Sequence, residues 1–125
     1  MTFTTISAPD APKALGPYSH GAKSGGLILT SGQIALDPQT GALEKETAPA
    51  TRRVLENLLA IVRAGGGSLE SIARVEIAFT DDVDMPAFNA EYARFFGTHK
   101  PARFVSFVKA LPAGATMEFS VTAFV

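Results

Sequence analysis

Apolar side chains recur at helical spacing in the middle of the chain, with charged or amide residues at the positions between them. The pattern predicts an amphipathic helix that begins at Thr47. The glycine run 65–67 ends this helix, because glycine tolerates the left-handed backbone that follows many helices. The buried side of the helix is expected to consist of Thr51, Val54, Leu55, Leu58, Ile61 and Val62.

A second apolar stripe follows an acidic cluster. Asp81, Asp82 and Asp84 offer oxygen ligands for a metal ion, but carboxylates directly before a helix usually cap it and complement its dipole, so we expect capping. Pro86 fits the first turn of a helix behind Asp84, and Gly97 ends that helix. One side of it is marked by Met85, Phe88, Tyr92, Phe95 and Phe96.

Strand patterns flank both predicted helices. The segment 26–33 is a short apolar run that ends in polar residues, and 72–80 alternates apolar and polar side chains with period two. Two β-rich runs, 102–111 and 116–125, follow the second helix. The order strands, helix, strand, helix, two strands predicts an α+β fold with both helices on one face of a sheet. We expect one domain over residues 1–125, because a chain of this length builds one core.

The last two predicted strands carry apolar residues close together, with weak alternation. Strands that are apolar on both faces need cover on both faces. Two helices cover only one side of the sheet, so the other side is expected to be buried against another subunit. The sequence therefore predicts an oligomer.

The composition excludes several kinds of chemistry and of binding partner. The chain has no Cys, which excludes disulfides, thiolate metal sites and a cysteine nucleophile. Lys and Arg number 11 against 12 Asp and Glu, for a formal net charge of -1, so no general attraction to nucleic acid or to an anionic membrane is expected. No apolar stretch approaches the roughly 20 residues that span a bilayer, and no secretory signal pattern is visible. A cytoplasmic location and the absence of a metal or cofactor are the resulting expectations.

Two charged residues lie in apolar strand surroundings. Arg103 begins the first of the last two predicted strands, and its planar guanidinium suits a carboxylate partner. Glu118 lies between Met117 and Phe119 in the last strand. A structural ion pair between Arg103 and Glu118 is the simple alternative to a functional site. A tight hairpin would hold the two about six residues, or roughly 20 Å, apart along the strands. A shared site therefore needs strands that are not plain neighbours, or two chains.

Uncharged polar residues offer hydrogen bonds near turns and on the second helix. Tyr18, Ser31 and Asn89 are candidates for ligand contacts, although each type also occurs as an ordinary turn or capping residue. His20 and His99 lie in loops without a nucleophile or metal-ligand spacing, so we expect them at the surface.

Short motifs spread over nearly the whole chain form a recognisable set: Gly16-Pro17-Tyr18-Ser19, Thr30-Ser31-Gly32-Gln33, Asp37-Pro38-x-Thr40-Gly41, Asn89-x-x-Tyr92-x-x-Phe95-Phe96, Pro101-Ala102-Arg103, Leu111-Pro112 and Glu118. In their order and approximate spacing these motifs resemble the RidA (YjgF/YER057c/UK114) family of reactive-intermediate deaminases. The resemblance implies a chorismate-mutase-like α+β fold and a homotrimer with sites in clefts between subunits. It also implies hydrolysis of imines and enamines, such as 2-aminoacrylate, to a 2-keto acid and ammonia.

The resemblance assigns roles by position. Arg103 would bind the carboxylate of an imine or enamine acid, and Glu118 would position the attacking water. An imine carbon is already electrophilic, so orientation and a polarised water suffice without a metal or cofactor. Gly32 would allow close approach of the backbone to the substrate. The remaining pocket positions are Tyr18, Ser31 and Asn89.

The sequence departs from the family pattern at four places. The loop 97–100 is short, Phe104 stands where a small hydroxyl residue is usual, Val105 replaces a frequent Cys, and His20 replaces a frequent Gln. Phe104 and the short loop are expected to reshape the cleft. A binding or regulatory module without catalysis is therefore the alternative function. A ribonuclease or translation-inhibitor role is disfavoured, because the basic residues are scattered.

Overall fold

The computed structural model describes residues 2–125. Its six strands form one mixed sheet in the order β1-β2-β3-β6-β4-β5, with two helices packed on one face. The predicted α+β class and the two predicted helices are confirmed. The elements are β1 (Thr4–Ile6), β2 (Gly21–Ser24), β3 (Leu27–Thr30), α1 (Thr47–Ala64), β4 (Ile72–Phe79), α2 (Met85–Phe96), β5 (Ala102–Phe107) and β6 (Met117–Phe124).

Both helices begin and end at the predicted residues. Helix α1 starts at Thr47, and Gly66 behind it has a φ of 94°, a left-handed conformation that suits glycine. Helix α2 is capped by Asp84, whose side chain accepts a hydrogen bond from the Ala87 N–H at 3.1 Å. Gly97, with a φ of 63°, follows its last turn. Capping by Asp84 is thus confirmed, and no cluster of three possible metal-ligating side chains occurs within residues 2–125.

Strand β4 separates the last two strands of the chain. It pairs in parallel with β5 on one side and antiparallel with β6 on the other. Helix α2 makes the crossover from β4 to β5, which a parallel pair requires. The last two strands are therefore not a hairpin.

The core lies between the helices and one face of the sheet. Alternate residues of β4 and β6 point into it, as period two requires, and the buried residues of β6 are Met117, Phe119, Val121 and Ala123. The intervening residues of β6 face the other side of the sheet, which we call the open face. The predicted apolar character of that face is only partial, because Glu118, Ser120 and Thr122 share it with the exposed Leu29, Phe104 and Phe124.

Candidate active site

A cleft of about 410 Å³ opens between residues 7–20, which we call the N-terminal loop, and the end of β3 and start of β6. Glu118 lies half-buried in its wall, together with Ser31, Gly32 and Tyr18. Burial disfavours the charged carboxylate and raises the pKa of Glu118. Apolar side chains complete the cleft, among them Leu15 and Ile34. A half-buried carboxylate with a raised pKa in such a cleft is suited to proton transfer.

Gly32 contacts the Glu118 side chain directly. A Cβ atom on residue 32 would lie 3.0 Å from both Cδ and Oε2 of Glu118. The contact arises because the neighbouring Gln33 exchanges two backbone hydrogen bonds with Phe119, at 2.8 and 3.0 Å. Glu118 thus approaches the Gly32 backbone closely, and the approach of a substrate to Gly32 stays a prediction.

Hydrogen bonds between side-chain hydroxyls and the backbone order the N-terminal loop at the cleft. The Ser31 hydroxyl donates to the Ser19 carbonyl at 2.6 Å, and the Tyr18 hydroxyl accepts from the Leu15 N–H at 3.1 Å. Tyr18 is 44% exposed, so its ring stands at the mouth of the cleft. The loop therefore fixes both hydroxyls in the same cleft that Glu118 lines.

Both histidines lie in loops, as expected, and both are half-buried. Nδ1 of His20 accepts from the Ala8 N–H at 2.9 Å, which leaves Nε2 to donate to the Pro12 carbonyl at 2.7 Å. His99 is half-buried, and its Nε2 lies 2.7 Å from the Ile72 carbonyl oxygen. Both rings hold chain segments in place: His20 fixes the start of the loop that forms the cleft.

Arg103 lies on the helix-covered face of β5, held by α2. Its Nη2 donates to Oδ1 of Asn89 at 2.8 Å. Its guanidinium carbon lies 4.8 Å from the ring centre of Tyr92 and 5.3 Å from that of Phe88. The sequence placed both aromatic residues on the apolar side of the second helix and gave no indication of a contact with Arg103. The crossover through α2, which places this helix beside β5, was the missing information.

The predicted site residues form two separate groups within one chain. Arg103 pairs in register with Val75, and Glu118 pairs with Ala78. The two residues are thus three positions apart along β4 and two strand spacings apart across it, or about 14 Å between Cα atoms, and they point to opposite faces. A structural ion pair between Arg103 and Glu118 of the same chain is therefore excluded. We call Tyr18, Ser31, Gly32 and Glu118 the glutamate group, and Asn89 with Arg103 the arginine group.

Phe104 points to the open face, not into the core. It is 46% exposed, and the guanidinium of Arg74 lies 4.7 Å from its ring centre. Together with Gly32, Glu118 and Ser106 it lines a second groove of about 350 Å³ on that face. Glu118 therefore separates two cavities: the cleft under the N-terminal loop and the groove beside Phe104.

The fold and the candidate site together describe a class of two-layer α+β proteins. Members of this class have one glutamate in a cleft and a separate arginine on the edge strand of the sheet. The family model described as "Endoribonuclease L-PSP" matches residues 8–125. The chain belongs to this family, which is the YjgF/RidA family. The predicted family is thereby confirmed.

Known relatives cover almost the whole chain. A RutC family protein of Pyrococcus horikoshii is 39% identical over 120 residues, which are 95% of each chain. The 2-iminobutanoate/2-iminopropanoate deaminase of Salmonella typhimurium is 38% identical over 122 residues, again 95% of each chain. The crystal structure of Escherichia coli TdcF with bound serine superposes with a TM-score of 0.93 at 35% identity and covers 98% of both chains. Neither helix within residues 2–125 is long and apolar enough to cross a membrane.

Proposed function

We propose that the chain hydrolyses imine and enamine acids, such as 2-iminopropanoate and its tautomer 2-aminoacrylate, to 2-keto acids and ammonia. The observation that carries the proposal is the half-buried Glu118 carboxylate in the wall of a cleft with neighbouring hydroxyls. Family membership and the deaminase relative support it. The proposal includes a homotrimer in the cytoplasm, with each site built from the glutamate group of one subunit and the arginine group of the next.

The separation of the two groups supports a shared site. The Arg103 guanidinium donates one N–H to Asn89 and packs one of its faces against aromatic rings. It is exposed at the sheet edge, and its other N–H donors are available to bind a carboxylate. Glu118 lies about 14 Å away on the other face of its own sheet. A small imine acid spans only a fraction of that distance. It therefore reaches an arginine and a glutamate together only where two subunits meet.

The chemistry needs one proton carrier. Water adds to C2 of the imine while Glu118 accepts a proton from that water. The same carboxyl returns the proton to the imine nitrogen, which gives the carbinolamine. It then carries the proton of the carbinolamine hydroxyl to the amine, so that the C–N bond breaks as the C=O bond forms, and ammonia leaves the 2-keto acid. The raised pKa of Glu118, caused by its burial, brings the two protonation states closer in free energy near neutral pH. Arg103 holds the substrate carboxylate throughout.

The first experiment measures pyruvate formation from 2-aminoacrylate generated in situ by a serine dehydratase. Wild type should accelerate pyruvate release over buffer, Arg103→Ala should abolish the acceleration, and Arg63→Ala, which changes an exposed arginine on α1, should retain it. Equal rates for wild type, Arg103→Ala and buffer would reject hydrolysis of this substrate.

Ligand binding without catalysis is the second candidate. The exposed Phe104 beside Glu118 favours it, as does the relative that was crystallised with serine. Calorimetry with serine and with 2-ketobutanoate distinguishes the candidates. Binding that is lost in Arg103→Ala, combined with no catalysis by wild type, would support a binding module and reject the deaminase.

A complementation experiment tests the shared site. Arg103→Ala and Glu118→Gln chains are each expected to be inactive as pure trimers. Co-expression in equal amounts should restore about one quarter of wild-type activity, because a site is intact wherever an unaltered Arg103 meets an unaltered Glu118 across an interface. No restoration in mixed trimers, verified by mass and light scattering, would contradict the shared site. A monodisperse monomer at micromolar concentration would contradict the trimer as well.

A further inference from the structure

The carboxylate of Glu118 leans against the backbone of Gly32 at the wall between the cleft and the groove. Both residues line both cavities. A Cβ atom on residue 32 would lie 3.0 Å from Cδ and Oε2 of Glu118 and 3.1 Å from its Cγ. These distances are shorter than ordinary van der Waals contact. The side chain of Glu118 therefore occupies the volume that any other residue at position 32 would fill.

The backbone does not by itself require glycine at this position. The residues with positive φ are Gly25, Gly41, Gly66, Gly97, Ala113 and Gly114 among residues 2–125, and Gly32 is outside this set. Alanine at position 32 is thus compatible with the backbone, and the three atoms nearest to its Cβ would all belong to the Glu118 side chain. Space for a displaced carboxylate exists, because the groove on the open face begins beside it.

We propose that Gly32 is a positioning residue that holds the Glu118 carboxylate at the cleft by leaving room for it. The proposal rests on the function proposed above, since it concerns the same carboxylate. In a Gly32→Ala variant the methyl group pushes the carboxylate from the cleft towards the groove beside Phe104. The chain stays folded, because the displaced group is the far end of a flexible side chain.

Activity of Gly32→Ala provides the first test. We expect kcat to fall at least about tenfold with a smaller change in KM, because a displacement near 1 Å of a reacting group is enough for such a loss. Gly25→Ala is the matched control: it adds a methyl group with no atom within 4 Å, but at a φ of 57°. That control loses stability without touching the site, so its kcat per folded chain should stay unchanged. An unchanged kcat in Gly32→Ala would overturn the proposal.

A double-mutant cycle with Glu118→Asp separates positioning from general damage. The aspartate side chain is one methylene shorter, so its carboxylate lies farther from the methyl group added at position 32. Gly32→Ala should therefore reduce kcat much less in the Glu118→Asp background than in wild type. Equal fold-losses in the two backgrounds would overturn the positioning role.

A readout that needs no activity keeps this inference distinct from the proposed deaminase function. The side-chain carboxyl of Glu118, labelled with carbon-13 and assigned through Glu118→Gln, is titrated by NMR. Burial raises the pKa of Glu118 in the wild type, and displacement into the more open groove should lower it. The charged or titratable residues that line the two cavities beside it are Lys13, Tyr18 and Glu76. An identical titration in wild type and Gly32→Ala would overturn the inference, even if the chain proved to be no deaminase.

Discussion

Removal of the Tyr92 hydroxyl should stabilise the protein. The ring of Tyr92 packs between Phe88 and Phe96, with ring centres 5.3 and 4.8 Å away, while its hydroxyl is buried without a hydrogen-bond partner among residues 2–125. Burial raises the pKa of Tyr92 to about 12, although the Arg103 charge opposes the shift, so the phenol is neutral at ordinary pH. Tyr92→Phe therefore removes an unsatisfied polar group and changes no charge.

The magnitude follows from the cost of burying a polar group. A buried hydroxyl without a partner costs about 1–3 kcal/mol, and the phenylalanine ring retains the aromatic contacts. We expect the free energy of unfolding to rise by about 1 kcal/mol, which corresponds to about 3–5 °C in Tm for a chain of this size. Urea titrations followed by circular dichroism measure the first quantity, and thermal melts measure the second. A decrease of about 1 kcal/mol would refute the reasoning and show that the hydroxyl has a partner outside its own chain.

Two further variants sharpen this prediction. Thr116→Val removes the other buried hydroxyl that lacks a partner within residues 2–125, and it should also stabilise the fold. Tyr92→Leu keeps an apolar side chain but removes the ring that lies 4.8 Å from the Arg103 guanidinium. If that ring helps to hold Arg103, KM should be about two- to fivefold higher in Tyr92→Leu than in Tyr92→Phe. Equal KM values would exclude such a contribution of the ring.

Three other variants test the fold through unfolding titrations. The hydrogen bond from Arg52 lowers the pKa of the buried Glu91 below its unfolded value of 4.5. The ionised Glu91 therefore stabilises the fold above pH 4.5, and this contribution to the free energy of unfolding disappears as pH falls through the folded pKa. Glu91→Gln should therefore lose about 1–2 kcal/mol at neutral pH and show a weaker acid dependence, whereas equal acid dependence would contradict this account. Asp84→Ala should lose about 1 kcal/mol by removing the α2 cap, and Asp82→Ala should lose almost nothing; equal losses would contradict capping. Gly97→Ala should lose about 1–2 kcal/mol because its φ of 63° strains alanine, and an unchanged stability would contradict that strain.

The helices could be predicted because their signals are local. Asp84, Pro86 and Gly97 set the bounds of α2 through hydrogen bonds and backbone preferences within a few residues of the chain. The apolar stripe of α1 is also a local signal, and it identifies the buried face of that helix. Strand neighbours depend instead on contacts between distant segments, so the insertion of β4 between β5 and β6 had no local signal.

The candidate site shows the same division between local and distant information. Residue type and motif order identified Arg103 and Glu118, but the hydrogen bond from Arg103 to Asn89 depends on how α2 crosses to β5. The contact between Gly32 and Glu118 depends on the pairing of residues 33 and 119, which are far apart in sequence. The sequence thus indicates the chemical groups, whereas the topology determines which of them meet. The substrate roles of all six candidate residues stay predictions.

Strand β5 ends the sheet with one edge unpaired within the described chain, and Phe104 and Phe107 on it are 46% and 58% exposed. An unpaired edge can pair with an extended segment of another chain, so a newly made chain can aggregate through this edge. Heating exposes more such segments, and a higher protein concentration brings them to the edge more often. Yield of active protein should therefore depend on the concentration and temperature at which chains first meet, even where the folded state itself is stable.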